Sequence, residues 1–327
     1  MPRLTRAGHV TLSDTESLRV RAAWLYFNRG LTQKEIAEAL GVSRSTVVRM
    51  LDEARKRGEV QIWINTSPGD CTALAVELEA VLGLDEAIVV PGSGTAEQTA
   101  IDVGAALGQW LSDVLSDGMS VGVGWGRTLN ASLATFRPQR REGVRVISLQ
   151  GGLLEASSVN PIDFSWRMAG RLGADCLLYL APLVVDSQDT KQRLIEKCGL
   201  DQVEQAAANL DLAIISCGDI GVAGSSLSHQ FLSQGEYSGL LDSGAICDTL
   251  CQFLDANGNT VEHPVHARVM SVDLDTIARA KHGVLASGGA RRAAAIKATL
   301  KRTGCQTLVT DEAAAKAILA LDSSDQA

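Results

Sequence analysis

The sequence lacks the segments that would place a protein in a membrane or direct it out of the cell. No apolar run in the 327 residues reaches the roughly 18 that a membrane-spanning helix needs. The first 20 residues carry charges but no apolar stretch of the kind that forms a secretory signal. We therefore expect a cytoplasmic protein with no membrane partner.

Motifs for metals, disulfides and nucleotides are missing as well. The chain has 7 cysteines but no CxxC pair, and it has neither G-x-G-x-x-G nor G-x-x-x-x-G-K-[ST]. Such a scattered, odd set is typical of reduced thiols, and no dinucleotide or ATP site is indicated. Cys247 and Cys251 could share a helix face and hold a metal or a redox function, although buried cysteines commonly act as small hydrophobic residues. Because His263 and His266 have no acidic or cysteine partner at ligand spacing, the sequence predicts no metal and no cofactor.

Positive charge is scarce over most of the chain, whose net charge is −8. Residues 1–65 hold 11 Lys+Arg against 7 Asp+Glu, whereas the remainder holds 19 against 31. The two parts thus carry net charges of +4 and −12. A basic head on an acidic body is typical of a DNA-binding module joined to a module that does not touch DNA.

The segment from Thr32 to Gly58 predicts two short helices joined by a glycine turn. Thr32 can cap the first helix and, with Glu35 three residues later, has the pattern of a capping box. Gly41 supplies the turn, and Ser43 can cap the second helix, which Gly58 ends. Two such helices make a helix-turn-helix, although an amphipathic hairpin that binds no nucleic acid has the same periodicity.

The second of these helices is expected to enter the major groove of double-stranded operator DNA, with its first residues toward the base edges. Ala37, Gly41 and Val47 have the spacing at which the two helices of such a motif pack closely. Arginine suits guanine, while serine and threonine hydroxyls suit several bases or phosphates. The candidate DNA contacts are Thr32, Gln33, Arg44, Ser45, Thr46 and Arg49.

The flanking segments complete the predicted organisation. Residues 17–28 are expected to form a scaffold helix, 59–65 alternate like a strand of a small wing, and 71–82 carry leucines at helical spacing. The predicted regions are a disordered tail at 1–14, a winged helix-turn-helix domain at 15–65, a linker at 66–84 and an effector domain at 85–327.

Short apolar runs alternate with helical segments from residue 85 onward. The runs include EAIVV, MSVGV, VRVISL, LDLAIIS and QTLVTD. This alternation predicts an α/β fold with a doubly wound parallel sheet and helices on both faces. Ligands of such sheets bind at the carboxyl ends of the strands, where glycine-rich turns lie in this sequence.

Two glycine-rich turns are the candidate effector site. In residues 121–128, VGVGWGRT, three alternate glycines let backbone N–H groups surround an anion, and Arg127 adds a charge suited to phosphate. A second turn at 285–293 places two glycines before Arg291 and Arg292. Asp248 could equally bind sugar hydroxyls or serve as a cap or turn residue. For the glycines, the alternative is a tight strand–helix turn that binds nothing. The candidate effector contacts are Gly124, Trp125, Gly126, Arg127, Thr128, Asp248, Gly289 and Arg292.

The order of these features resembles the SorC family of bacterial transcriptional regulators from about residue 17 to 321. LYFNRGLTQKEIAEALGVSRSTVVRMLDEARKRGEVQIWI is similar to the DNA-reading head of that family, and VGVGWGRTL, ASGGARRAAAI and LVTDEAAAKAIL are similar to its effector-domain motifs. The resemblance implies a Rossmann-like effector domain akin to sugar-phosphate isomerases, an inducer that is bound without being converted, and dimers or tetramers. The phosphate-side contacts that it implies are Gly124, Gly126, Arg127, Thr128, Gly289 and Arg292.

One stretch departs from the family pattern. The usual G-x-x-G-D-I is Gly244-Ala-Ile-Cys-Asp-Thr in this chain, with Cys247 in place of a glycine. The departure bears on the shape of the pocket and so on the ligand. The DNA-reading head is especially similar to regulators of polyol use, including erythritol catabolism.

We therefore predict a DNA-binding regulator of a sugar or polyol catabolic operon that responds to a sugar, polyol or sugar phosphate and acts as a homo-oligomer. An alternative is a sugar-phosphate-processing enzyme with a DNA-binding head. Catalysis would need an acid and a base positioned near the sugar carbonyl. The glycine-rich turns contain no compact carboxylate, histidine or lysine set, so we predict no catalytic residues. A purely architectural DNA binder would leave both Gly/Arg turns unexplained.

Overall fold

The computed structural model of the chain describes residues 12–60, 69–154, 160–221 and 231–325. The chain forms two compact units, which divide between Thr66 and Ser67. Among the described helices, none combines the length and the apolar character needed to cross a membrane.

The first unit is a head of three helices packed around one apolar core. The helices are α1 (Leu12–Phe27), α2 (Gln33–Leu40) and α3 (Arg44–Lys56). Ile36 and Val47 are fully buried between them, and Ala37 is small enough to let α2 and α3 cross closely. Gly41 has a φ of 68° and makes the left-handed turn that its position predicted.

The ends of this head differ from the sequence-based boundaries. α1 begins at Leu12, so residues 12–14 of the predicted disordered tail belong to a helix. The apolar spacing from Leu18 onward marks only the part of the helix that packs in the core, so it does not show where the helix begins. Residues 1–11 of the predicted tail and 61–65 of the predicted wing strand lie outside the described residues.

The second unit contains two sheets. Its strands are β1 (Glu86–Val90), β2 (Ser120–Val123), β3 (Arg145–Ser148), β4 (Asp175–Leu177), β5 (Leu212–Ile215), β6 (Gly218–Asp219), β7 (Cys247–Thr249), β8 (Gln252–Leu254), β9 (His282–Ala286) and β10 (Thr307–Asp311). Seven of them form a fully parallel sheet in the order β1-β10-β9-β5-β2-β3-β4. From β2 the chain moves outward to β3 and β4, and from β5 it moves the other way to β9 and β10. The order therefore reverses between β2 and β5, which is where such sheets open a ligand crevice.

Helices cover both faces of the parallel sheet, as the sequence predicted. The helices are α4 (Gly69–Leu82), α5 (Ala96–Val114), α6 (Arg127–Ser132), α7 (Pro161–Leu172), α8 (Gln188–Lys197), α9 (Asp201–Ala207), α10 (Gln234–Asp242), α11 (Leu274–Ala278), α12 (Ala293–Thr303) and α13 (Glu312–Asp325). On β5, Leu212 and Ile214 pack with α5, α6 and α7, whereas Ala213 and Ile215 pack with α9, α12 and α13. Successive residues of a strand point to opposite faces of the sheet, and helices cover both faces here. All residues of β5 are therefore buried, which is why the strand is apolar throughout.

The antiparallel sheet of β6, β7 and β8 was not predicted. Its strands have only 2 or 3 residues each, too few for an alternating pattern to be recognised. Trp125 and Phe253 are buried in an apolar cluster beside this sheet. Asp248 lies on β7 directly opposite Gly218 on β6.

The predicted linker at 66–84 contains α4, which belongs to the second unit. Leu78 is fully buried in the core of that unit, and α4 packs against β1 and α13. The leucine spacing predicted the helix correctly, but the composition of the preceding residues suggested an independent linker. The leucines of α4 cover β1, the edge strand of the parallel sheet, so α4 is part of the second unit.

We expect Leu78→Ala to lower the free energy of unfolding of the second unit by about 2–5 kcal/mol, because a fully buried leucine leaves a cavity. Val76→Ala on the same helix is the matched control, since Val76 is 60% exposed. Its effect should stay within about 0.5 kcal/mol. Urea unfolding of the full chain, followed by circular dichroism, measures both. Equal and small effects would mean that α4 contributes nothing to the core.

Candidate functional site

The two caps of the helix-turn-helix form as predicted. Thr32 Oγ1 accepts the Glu35 N–H at 3.3 Å, and the Glu35 carboxylate accepts the Thr32 N–H at 2.8 Å. The Thr32 hydroxyl also donates to Glu35 Oε2 at 2.7 Å, and this bond, together with the one from the Thr32 N–H, lowers the pKa of Glu35. Ser43 Oγ accepts the Thr46 N–H at 3.1 Å and starts α3. The caps set where α2 and α3 begin, and the predicted DNA contacts cluster at those starts.

Most of the predicted DNA contacts lie at the surface of the head. Arg44, Ser45 and Arg49 are exposed on α3, and Thr46 is half-buried. Arg44 Nε donates a hydrogen bond to Gln33 Oε1 at 3.3 Å, which joins the first residues of α2 and α3. Other residues that line the same shallow groove, and that the sequence did not single out, are Tyr26, Gly30, Leu31 and Lys34.

A partly buried ion pair, not predicted from the sequence, ties α1 to the end of the head. Arg19 is 4% exposed, and its guanidinium donates to both carboxylate oxygens of Glu59, with Nε to Oε2 at 2.7 Å. This hydrogen bonding lowers the pKa of Glu59. The two residues are 40 positions apart, so nothing local in the sequence links them.

The crevice between β2 and β5 brings six of the eight predicted effector contacts together. Its lining residues are Trp125, Gly126, Arg127, Thr128, Ser216, Cys217, Gly218, Asp248, Leu250 and Arg292. They come from the turn after β2 and the first residues of α6, from the turn after β5 and the start of β6, from β7 and the turn that follows it, and from the segment before α12. The crevice lies at the point where the strand order reverses, so its position follows from the topology.

The turn after β2 is held in place by the packing of α5 against α6. A Cβ atom on Gly104 would lie 2.5 Å from the Thr128 carbonyl oxygen, and one on Gly108 would lie 2.2 Å from the Ser132 carbonyl oxygen. Both distances are too short for any residue except glycine. Gly126, with a φ of 141°, then lets the chain pass from β2 into α6.

Gly124 and Gly289 do not line this crevice. The Gly124 N–H donates to the Ile214 carbonyl at 2.8 Å, and the Gly289 N–H donates to Asp311 Oδ1 at 2.6 Å. The protein itself uses both donors, so neither N–H group is open to a ligand in this structure, and the two glycines stay predicted effector contacts. The two glycines also shape the turns, and a Cβ on Gly124 would lie 3.0 Å from a methyl carbon of Leu250.

The two arginines of the predicted site differ in their surroundings. Arg127 is exposed, whereas Arg292 is 8% exposed. Arg292 Nη1 donates to the Gly288 carbonyl at 3.0 Å, and Arg292 Nε lies 3.4 Å from Asp219 Oδ1. Asp219 was not predicted, because a single aspartate after a short strand carries no distinguishing pattern.

Asp248 is 8% exposed and lies within β7, so it is a strand residue and neither a cap nor a turn residue. Cys217 also lines the crevice, but burial raises the pKa of its thiol to about 11. Cys247 and Cys251 do not share a helix: one lies on β7 and the other in the following turn, and burial raises the pKa of both. These thiols are therefore held protonated, as small hydrophobic residues would be.

The two histidines serve the local structure. His266 Nε2 accepts the Phe253 N–H at 3.1 Å, and His263 Nδ1 accepts the Val265 N–H at 3.2 Å. Burial lowers the pKa of His266 to about 4. Within the described parts of the chain, no group of three or more His, Cys, Asp or Glu residues is arranged to hold a metal ion.

Comparison with known families adds independent findings. Residues 66–320 match the family described as "Putative sugar-binding domain". Residues 13–63 match the family described as "Homeodomain-like domain". The two matches divide the chain at nearly the same place as its two compact units.

Relatives are similar over almost the entire chain. The transcriptional regulator LsrR of Klebsiella pneumoniae subsp. pneumoniae is 33% identical over 315 residues, which cover 94% of each chain. The erythritol catabolism regulatory protein EryD of Brucella abortus is 27% identical over 306 residues, covering 93% of this chain and 96% of the relative. The crystal structure of the full-length sorbitol operon regulator SorC of Klebsiella pneumoniae matches with a TM-score of 0.71 and 24% identity, over 94% of this chain and 99% of that one.

We expect Arg44→Ala and Arg49→Ala to weaken binding to specific DNA by about 1–3 kcal/mol each if the lost contact is bidentate to guanine. The measurement is a binding assay with a sequence selected from a random DNA library and with a scrambled copy of it. Arg193→Ala on α8 of the other unit is the control, because its side chain is 74% exposed and far from α3 in sequence. Equal losses on both DNAs would indicate phosphate contacts, and no loss on either would contradict the placement of α3.

Proposed function

The chain belongs to the SorC family of bacterial transcriptional regulators, and we propose that it controls an operon for the catabolism of a sugar or polyol. Its relatives are named as regulators and not as enzymes, and this chain likewise regulates transcription through a DNA-binding head. The relatives named for erythritol catabolism and for the sorbitol operon support a sugar or polyol as the signal. Such a protein acts in the cytoplasm, where operator DNA is found.

The effector, in this proposal, binds in the crevice between β2 and β5. The observation that carries it is the convergence of Arg127, Asp248 and Arg292 on one crevice, from three distant parts of the sequence. Arginine can form charge-assisted hydrogen bonds to a phosphate or hydroxyl, and a carboxylate can accept hydrogen bonds from sugar hydroxyls. These groups suit a polyol, a sugar or a sugar phosphate.

The DNA contacts are assigned to the surface where α2 and α3 begin. The assigned residues are Thr32, Gln33, Arg44, Ser45, Thr46 and Arg49. Effector binding alters DNA binding only if the two conformations of the regulator bind the effector with different affinities. The proposal therefore requires that the effector changes the conformation of the second unit.

We expect Arg127→Ala to lower effector affinity by about 1.5–3 kcal/mol, the value of a hydrogen bond to a charged group, without loss of folding, because Arg127 is exposed. Arg292→Ala should lower the affinity as well, but it should also destabilise the unit because Asp219 loses a buried partner. Thermal-shift screening against sugars, polyols and their phosphates finds the ligand, and calorimetry on the variants gives the affinities.

DNA binding with and without the ligand completes this test. The response to the ligand should weaken in both variants in proportion to the lost affinity, while DNA binding in its absence stays unchanged. Arg193→Ala is again the control for removing an exposed arginine of the same unit. Parental ligand binding and response in both site variants would place the effector site elsewhere.

We also propose a homo-oligomer, a dimer or a tetramer, because one DNA-reading helix covers only a few base pairs and specific sites usually comprise two halves. The leucines of α4 are not a free pairing surface, since Leu78 is buried within its own unit. Light scattering of the free protein and of its DNA complex measures the subunit number. A monomer in both states would contradict the proposal.

A further inference from the structure

Asp219 lies between two arginines at the edge of the effector crevice. Its Oδ1 is 3.4 Å from Arg292 Nε, and its Oδ2 is 3.4 Å from Arg291 Nη2. Asp219 and Arg292 are 9% and 8% exposed. Their charges therefore interact with little screening by water or salt, unlike those of an exposed pair.

Asp219 reaches Arg292 from the side away from the crevice. Gly218, its neighbour on β6, lines the crevice with Arg292, while Asp219 lines an adjoining cavity together with Thr95 and Asp311. Arg292 lines both cavities and so separates them. One face of this arginine is thus near the expected effector, and another is paired with a carboxylate of the protein.

We propose that Asp219 is an internal competitor for anionic effectors, and that it sets the charge preference of the crevice. The inference rests on the proposed function, in which the crevice binds the effector. Asp219 offsets part of the positive charge of Arg292 in the effector-free protein. A phosphate therefore gains less binding free energy from this arginine than it would from one without a nearby carboxylate. A neutral hydroxyl group carries no net charge and is not repelled by the carboxylate.

The competitor role and a positioning role predict opposite results for the same substitution. If Asp219 only orients Arg292 toward the ligand, its removal weakens the binding of every ligand that contacts Arg292. If Asp219 competes, its removal leaves the buried positive charge of Arg292 with less opposite charge beside it. The ligand-free protein then becomes less stable, and anions bind more tightly. Stability and anion affinity then change in opposite directions, and only the competitor role produces this pair of signs.

The experiment compares Asp219→Asn with the parent protein at low ionic strength, using inorganic phosphate as the charged probe and erythritol as the neutral probe. We expect Asp219→Asn to bind phosphate about tenfold more tightly, because Asp219 then no longer offsets the positive charge of Arg292. The affinity for erythritol should change by less than about twofold, since a ligand without net charge interacts only weakly with the charge of Asp219. Calorimetry gives the affinities, and thermal unfolding without ligand should show a lower Tm for the variant.

The matched control is Asp211→Asn. Asp211 lies at the amino end of β5, whereas the crevice lies at its carboxyl end. Asp211 also pairs with a cation, Lys281 Nζ at 2.8 Å, and accepts a backbone N–H from Ser120 at 2.8 Å. Its loss should lower stability without raising phosphate affinity. The double variant Asp219→Asn, Arg292→Ala should lose the gain in phosphate affinity, because the gain depends on Arg292.

Unchanged or weaker phosphate binding in Asp219→Asn overturns the inference, and this includes the case in which neither protein binds phosphate. If Asp219→Asn does not fold, Asp219→Ser is measured in its place, with the same outcomes for and against. Failure of the inference leaves the proposed function standing if a sugar or polyol still binds and the binding depends on Arg127. Failure of the proposed function appears instead as ligand binding that is insensitive to both Arg127 and Arg292.

Discussion

The close approach of α5 and α6 is the constraint on which the effector crevice depends. Gly104 and Gly108 let the backbone of α6 lie where any Cβ would collide with it. α6 has only 6 residues and begins at Arg127, so its position decides where the turn after β2 emerges. Because α5 is itself buried against the parallel sheet, the turn is held by the core of the domain and not by its own weak helix. A rigid support of this kind suits a site that must hold a ligand in one geometry.

The charges of the chain are divided between two units with different tasks. The head carries the excess of positive charge, and the rest of the chain carries a larger excess of negative charge. Negative charge on the effector domain disfavours unspecific contact between that domain and DNA, which is itself negatively charged. Within the head, the caps of α2 and α3 and the Arg19–Glu59 pair hold three short helices that could not form alone.

Buried charge in the effector domain is better understood as a source of specificity than of stability. A buried ion pair costs desolvation, and replacing it with apolar groups is often neutral or stabilising. Asp219 and Arg292 nevertheless lie next to the crevice, where apolar residues would recognise no sugar. Asp248, also a buried carboxylate, does line the crevice. In the proposed function, the balance of these charges contributes to which effectors the crevice can distinguish.

The sequence by itself determined the features that depend on residues close together in the chain. Caps such as Thr32 with Glu35, the turn at Gly41 and the alternation of apolar runs all have local causes, so the helix-turn-helix and the parallel sheet could be predicted. The tertiary structure alone decided which distant groups meet. Local pattern could not show that Asp219 pairs with Arg292, that Asp311 takes the Gly289 N–H, or that α4 joins the core. These contacts depend on the order of strands across the sheet, which brings together residues that the periodicity of any one segment leaves unrelated.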